Sequence, residues 1–181
     1  IGGFYIKYKK TDLAEKYFLL STETGDFLAP RFLGLIYEEQ NKLNLAEKYY
    51  KIAADRKNFD AYVNLGFLFQ KKNDLVQSEK YFLLGSNTGD VVAARLLGHL
   101  YLKQQRYDLA EVQFKALTEK GDLLSFHALG DVYALQNKYD LAEKYYKLSS
   151  DKGNSSAPND LGDLYIKQGK KDLAEKYYKI G

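Results

Sequence analysis

Residues 33–53 read LGLIYEEQNKLNLAEKYYKIA, and residues 129–149 read LGDVYALQNKYDLAEKYYKLS. The Leu-Gly pair that opens both recurs as Leu33-Gly34, Leu65-Gly66, Leu97-Gly98, Leu129-Gly130 and Leu161-Gly162, 32 residues apart each time. A second marker keeps the same period: LAEKY begins at Leu13, Leu45, Leu141 and Leu173, returns as LAEVQ at Leu109, and survives as QSEKY at Gln77. Self-similarity at a fixed period of this length marks a repeat architecture, in which each unit is one supersecondary element that buries its apolar face on its neighbours.

Inside a unit, Phe32, Leu33, Ile36 and Tyr37, then Leu45, Ala46, Tyr49, Tyr50 and Ile52, fall at helical spacing on two successive segments. The segments are joined by short polar turns such as Gln40-Asn41-Lys42 and Gln136-Asn137-Lys138, and so short a link forces the two helices antiparallel. The predicted fold is all-α, a solenoid of antiparallel helix pairs. Its units run 26–57, 58–89, 90–121 and 122–153, with a partial unit 1–25 before them and an incomplete unit 154–181 after. Ile1-Gly2 aligns with Leu33-Gly34 and Gly181 with Gly85, so the chain is expected to be a segment of a longer array, or to have its ends covered by a neighbour.

Each junction between units carries stop and start signals. Gly25, Gly89, Gly121 and Gly153 suit the left-handed conformation that ends a helix, and Lys57 alone departs. Asp26, Asn58, Asp90, Asp122 and Asn154 follow as expected N-caps. Pro30 and Pro158, four residues after two of those caps, sit where few backbone donors yet need an intrahelical acceptor. Gly34 and its equivalents fall mid-helix at a propensity cost of about 1 kcal/mol each against Ala. They are expected to admit the partner helix closely, with Ala46, Ala110, Ala142, Ala174 and Ser78 as the matching small surface. The aromatics Tyr37, Phe69, Tyr101, Tyr133, Tyr165, Tyr50, Phe82, Phe114, Tyr146 and Tyr178 are read as core. Tyr49, Tyr81, Tyr145 and Tyr177 are expected to be partly buried and to favour interfaces.

Composition bounds the function classes. Hydrophobic residues make up 45% of the 181, enough for a packed core. The 27 Lys and Arg nearly balance 24 Asp and Glu, so the charge of +3 forms no basic block and nucleic acid is not the expected partner. There is no cysteine, hence no disulfide framework and no thiolate zinc site. No run approaches the roughly 18 apolar residues of a membrane span. The compartment is left open, and no cofactor is expected.

Leu33, Gly34, Tyr37, Ala46, Tyr50 and Ala53, repeated as Leu161, Gly162, Tyr165, Ala174, Tyr178 and Gly181, resemble the tetratricopeptide signature over essentially the whole chain. Two features depart from it: the family's usual unit is about 34 residues, and it places a proline near the end of its second helix. The junctions Lys120-Gly121-Asp122 and Lys152-Gly153-Asn154 are instead similar to SEL-one-like repeats. The resemblance implies a right-handed superhelix whose first helices line a concave groove used to bind proteins.

On that face fall Arg31, Leu35 and Glu38; Val63, Phe67 and Gln70; Arg95, His99 and Leu102; His127, Asp131 and Ala134; and Asn159, Asp163 and Ile166. Their variation against a constant core fits a recognition surface, with Arg31 and Arg95 pairing with carboxylates and Leu35, Val63 and Phe67 taking an apolar anchor. Relaxed constraint on solvated positions gives the same pattern. Leu35, Val92 and Leu96 stand where a clamp for a C-terminal carboxylate would need polar groups, so that mode is not expected. His127 and Asp131, four apart and near His99 in register, read as a weak hydrogen bond rather than a metal site. No nucleophile or oxyanion device accompanies them, and no enzyme is expected. The repeated pairs Glu15-Lys16, Glu47-Lys48, Glu143-Lys144 and Glu175-Lys176 read as a solvated face. The leading reading is a scaffold for a peptide or folded partner. A structural spacer that self-associates end to end and a cell-envelope accessory module are the alternatives.

Overall fold

A computed structural model describes residues 11–181. The described residues form eleven helices and no strand: α1 (Thr11–Glu23), α2 (Ala29–Glu39), α3 (Leu43–Asp55), α4 (Asp60–Lys71), α5 (Leu75–Asn87), α6 (Val91–Lys103), α7 (Tyr107–Glu119), α8 (Leu123–Leu135), α9 (Tyr139–Asp151), α10 (Ala157–Lys167) and α11 (Lys171–Tyr178). The alignment of Ile1-Gly2 lies outside them. The chain gathers into two compact bodies that divide between Ala93 and Ala94. In the first, α2 packs on α3 and α4 on α5 as pairs, while α1 on α2 and α3 on α4 join successive units; in the second, α8 on α9 and α10 on α11 are the pairs, joined by α7 on α8 and α9 on α10.

The helices end and restart largely where local chemistry dictates. Gly25, Gly89, Gly121 and Gly153 take φ near +90°, and Lys57 adopts the left-handed region at φ +66° without being glycine. The Asp26 carboxylate accepts the backbone N–H groups of Leu28 and Ala29, Asp90 that of Val92, Asp122 that of Ser125, and Asn154 that of Ser156. Asn58 behaves differently: it is buried, and its Nδ2 has no partner. Its equivalent Asn154 donates from Nδ2 to Ser149 Oγ at 3.0 Å, whereas the residue matching Ser149 beside Asn58 is Ala53.

Leu33, Leu65, Leu97, Leu129 and Leu161 are fully buried, as are Ala46, Ala110, Ala142, Ala174 and Ser78. The mid-helix glycines serve a more particular contact than close approach of two small surfaces. A Cβ on Gly34 would lie 2.3 Å from the Tyr50 ring, on Gly66 2.3 Å from Phe82, on Gly98 2.7 Å from Phe114, on Gly130 2.4 Å from Tyr146, and on Gly162 2.3 Å from Tyr178. Each glycine is a slot for the aromatic sixteen residues on, from the second helix of its own unit.

A second aromatic layer repeats beside the first. Tyr37 stacks on Tyr49 with centroids 5.3 Å apart, Phe69 on Tyr81 at 5.4 Å, and Tyr133 on Tyr145 at 5.3 Å; such pairs add about 0.5–1.5 kcal/mol beyond area burial. Tyr49 and Tyr145 are half-buried as expected, but Tyr81 is buried outright. The glutamates at this place in the repeat, in the Glu-Lys pairs and in Glu111-Val112, do more than form a solvated face. Glu15 accepts the Tyr37 hydroxyl of the next unit at 2.9 Å, Glu111 accepts that of Tyr133 at 3.0 Å, and where Phe69 offers no hydroxyl Glu47 takes Lys72 at 2.6 Å. The lysines that follow lie over rings: Lys48 over Tyr49 and Lys144 over Tyr145.

Candidate partner-binding face

The first helix of each unit turns one stripe away from the core, and the residues predicted for it lie at its exposed or half-buried positions. In the first body the charged members each find partners within the chain. Arg31 donates from Nε to Asn64 Oδ1 at 3.0 Å and has an Nη1 3.7 Å from Asp60. Glu38 accepts the Tyr50 hydroxyl at 2.9 Å and sits 3.9 Å from Lys71 Nζ. Burial, then Glu38, pushes the Tyr50 phenol well above its usual value. Leu35, Val63 and Gln70 are half-buried, while Phe67 is 43% exposed, its ring held edge-on against Phe82 with centroids 5.4 Å apart.

In the second body Arg95 pairs with Asp122 at 3.0 Å. The His99 ring meets Phe114 at 5.1 Å; burial holds its pKa below the usual histidine value, Asp131 opposes that shift, and Arg95 and His127 add to it. His127 reaches Asp160 at 2.7 Å and Asp131 at 3.5 Å. Asp131 accepts the Tyr146 hydroxyl at 2.9 Å, and burial raises its carboxyl above the ordinary range against the pull of His127 and Tyr146. Asp163 accepts the Tyr178 hydroxyl at 2.6 Å. Leu102 and Ala134 are half-buried, and Asn159 and Ile166 are exposed.

A rule emerges that relates this face to the slots beneath it. Where the slotted ring is tyrosine, the face carries a carboxylate for its hydroxyl: Glu38 for Tyr50, Asp131 for Tyr146 and Asp163 for Tyr178. Where it is phenylalanine, the face carries a ring that packs edge-on to it: Phe67 on Phe82 and His99 on Phe114. For the buried Tyr50 and Tyr146 a hydroxyl without a partner costs about 1–3 kcal/mol, so variation at the facing positions is tied to packing, whereas Tyr178 is 41% exposed, contrary to its reading as core. The sequence carried that signal as a tyrosine or phenylalanine twelve or fifteen residues after an acid or a ring. Leu28 and Leu124, exposed one turn before Arg31 and His127, belong to the same stripe and were missed because each follows a cap and reads as junction. Among the described residues no group of three or more His, Asp or Glu is placed to hold a metal, and no helix is long and apolar enough to cross a membrane.

Comparison with known proteins agrees with this architecture. Residues 95–157 match one tetratricopeptide-repeat family model and residues 159–179 another. No curated protein matches the chain in sequence. Among solved structures, one from a functional characterization of Pseudomonas aeruginosa PilF superposes with a TM-score of 0.72 at 18% identity, covering 97% of this chain and 85% of that one. YrrB, described as a tetratricopeptide-repeat protein with an unusual peptide-binding site, gives 0.68 at 18% identity over 90% of this chain and 89% of that one. A Sel1 repeat protein from Oxalobacter formigenes gives 0.67 at 24% identity over 99% and 81%. Residues 95–157 and 159–179 are thus matched as tetratricopeptide repeats, and the described residues fold as an α-solenoid of helix pairs, the architecture of the tetratricopeptide and Sel1 repeat structures they superpose on.

Proposed function

We propose that this chain is a protein-interaction scaffold that holds a peptide or folded partner on the first-helix stripe of its units. The observation that carries the reading is the chemistry left on that stripe once internal pairings are made. The carboxylates of Glu38, Asp131 and Asp163 are engaged with tyrosines, yet Phe67, Leu124 and Ile166 remain 43%, 58% and 51% exposed. Apolar and aromatic side chains held by packing lose little entropy on binding, which suits them as anchors. Leu35, Val63, Gln70, His99, Leu102 and Asn159 flank them. Arg31 and Arg95 rim the stripe: Arg31 uses Nε and one Nη in its pairs, leaving donors for a partner carboxylate.

Capture from the source lysate tests this, comparing the native chain with two variants of equal helicity. One carries Phe67→Glu, Leu124→Glu and Ile166→Glu, and the other Arg31→Gln and Arg95→Gln. Loss of a specific partner in the first variant, with at most weakening in the second, supports apolar anchoring on this stripe. Identical capture by all three proteins overturns the assignment.

A further inference from the structure

Two lateral bridges on the first-helix stripe occupy equivalent places in the repeat and differ in both partners, arginine to asparagine in one and histidine to aspartate in the other. In the first body Arg31 of α2 reaches Asn64 of α4, 33 residues on; in the second, His127 of α8 reaches Asp160 of α10, also 33 residues on. Arginine keeps its charge at any working pH, whereas imidazole titrates near neutrality.

The His127 ring lies between two carboxylates. Nε2 is 2.7 Å from Asp160 Oδ2 across the unit boundary, and Nδ1 is 3.5 Å from Asp131 Oδ2 one turn along the same helix. From α9 the Tyr146 ring lies against it with centroids 5.6 Å apart, and the Tyr146 hydroxyl donates to the other oxygen of Asp131. The remaining charged groups around this cluster are Asp163 on α10 and, on α6, Arg95, which is paired with Asp122, and His99. An imidazolium donates from both nitrogens and so answers both carboxylates. A neutral ring donates from one nitrogen and turns a lone pair toward the other acceptor.

We propose that His127 is a proton-gated bridge joining unit 122–153 to unit 154–181, closed when the imidazole is charged and weakened when it is neutral. The direction follows from the geometry: as pH rises the ring loses a donor and its charge, so the contribution of the bridge is present at the acidic end and lost toward the alkaline end. Burial of Asp131 raises its carboxyl, and the shorter contact, 2.7 Å to Asp160 against 3.5 Å to Asp131, makes the Asp160 arm the one that carries the bridge. The inference does not depend on the partner reading, since it concerns contacts within the chain.

Hydrogen exchange of the full chain followed as a series from acidic to alkaline pH that includes pH 6 and pH 8, corrected for intrinsic rates, tests it. The native chain is compared with His127→Arg, which rebuilds the permanent bridge seen at Arg31, and with His127→Gln, which cannot be charged. The expected result is a fall of about threefold to fivefold in protection of α10 and α11 between pH 6 and pH 8 in the native chain, in line with a partly exposed charged pair. The fall should vanish in both variants, with His127→Arg protected at both pH values and His127→Gln at neither. An equal pH response in all three proteins, or none in the native chain, overturns the proposal.

Discussion

Placing a methyl group at Gly130 should destabilise the array even though alanine is the better helix former. Propensity alone favours Gly130→Ala by about 1 kcal/mol at a mid-helix position. Against that gain, the new Cβ would stand 2.4 Å from two carbons of the Tyr146 ring, where ordinary carbon contacts begin near 3.5 Å. The ring or its helix must yield by about 1 Å, and such overpacking costs about 1–3 kcal/mol. Displacing the ring also breaks the hydrogen bond from Tyr146 to Asp131, worth about 1 kcal/mol. The sum is a net loss of about 1–3 kcal/mol. Urea unfolding followed by circular dichroism measures it, with hydrogen exchange on α8 and α9 as the local readout, because repeat arrays can unfold in pieces. The slot reasoning also demands a reversal: in a Tyr146→Ala background, where the ring is gone, Gly130→Ala should stabilise by about 1 kcal/mol. A gain in the native background, or the same penalty in both, would refute the slot account.

Ser78→Ala should stabilise by about 1 kcal/mol in the same unfolding assay, because the fully buried Ser78 Oγ has no partner and every equivalent position in the described residues is alanine. Ala53→Ser should add about 0.5–1 kcal/mol by giving Asn58 Nδ2 the acceptor that Asn154 finds in Ser149, checked against Ser149→Ala, which should lose a similar amount. Burial, then the hydrogen bond to Glu143, pushes the Tyr165 phenol up to about 12. Below pH 10 both folded and unfolded chains keep that proton, and between pH 10 and 12 only the unfolded chain sheds it, so stability falls as pH rises through this window. Tyr165→Phe should show a shallower alkaline loss in a pH series of thermal melts.

Helix positions were legible because their causes lie within a few residues. Asp122 caps a donor three residues on, Gly121 ends the preceding helix, and the Leu-Gly pair repeats without insertion. The pairings on the face were not, because they depend on the lateral register of one helix against the next. That Arg31 finds Asn64 or that Glu15 finds Tyr37 follows from separations of 33 and 22 residues, which no local propensity encodes. Asn58 shows the converse failure. Its residue type suits a cap, yet its side chain is buried, and the sequence offers no sign of this beyond alanine in place of serine five residues earlier. The glycine slots lay between these extremes: the repetition was plain, but the ring filling each slot became visible only in three dimensions.

The match between slotted ring and surface acid also bears on how such an array can be recombined. Tyr146 and Asp131 lie on opposite sides of the turn Gln136-Asn137-Lys138 but inside one unit, as do Tyr50 with Glu38 and Phe82 with Phe67. A crossover at a Gly-Asp junction passes both members on together. A crossover in the short turn would join a tyrosine-bearing second helix to a first helix such as that of Phe67, stranding a buried hydroxyl against an aromatic ring. Whole units that begin at the caps are therefore the natural pieces of exchange for this chain: each carries its slot and the facing group intact, and only lateral pairs across the boundary, such as His127 with Asp160, must be matched anew.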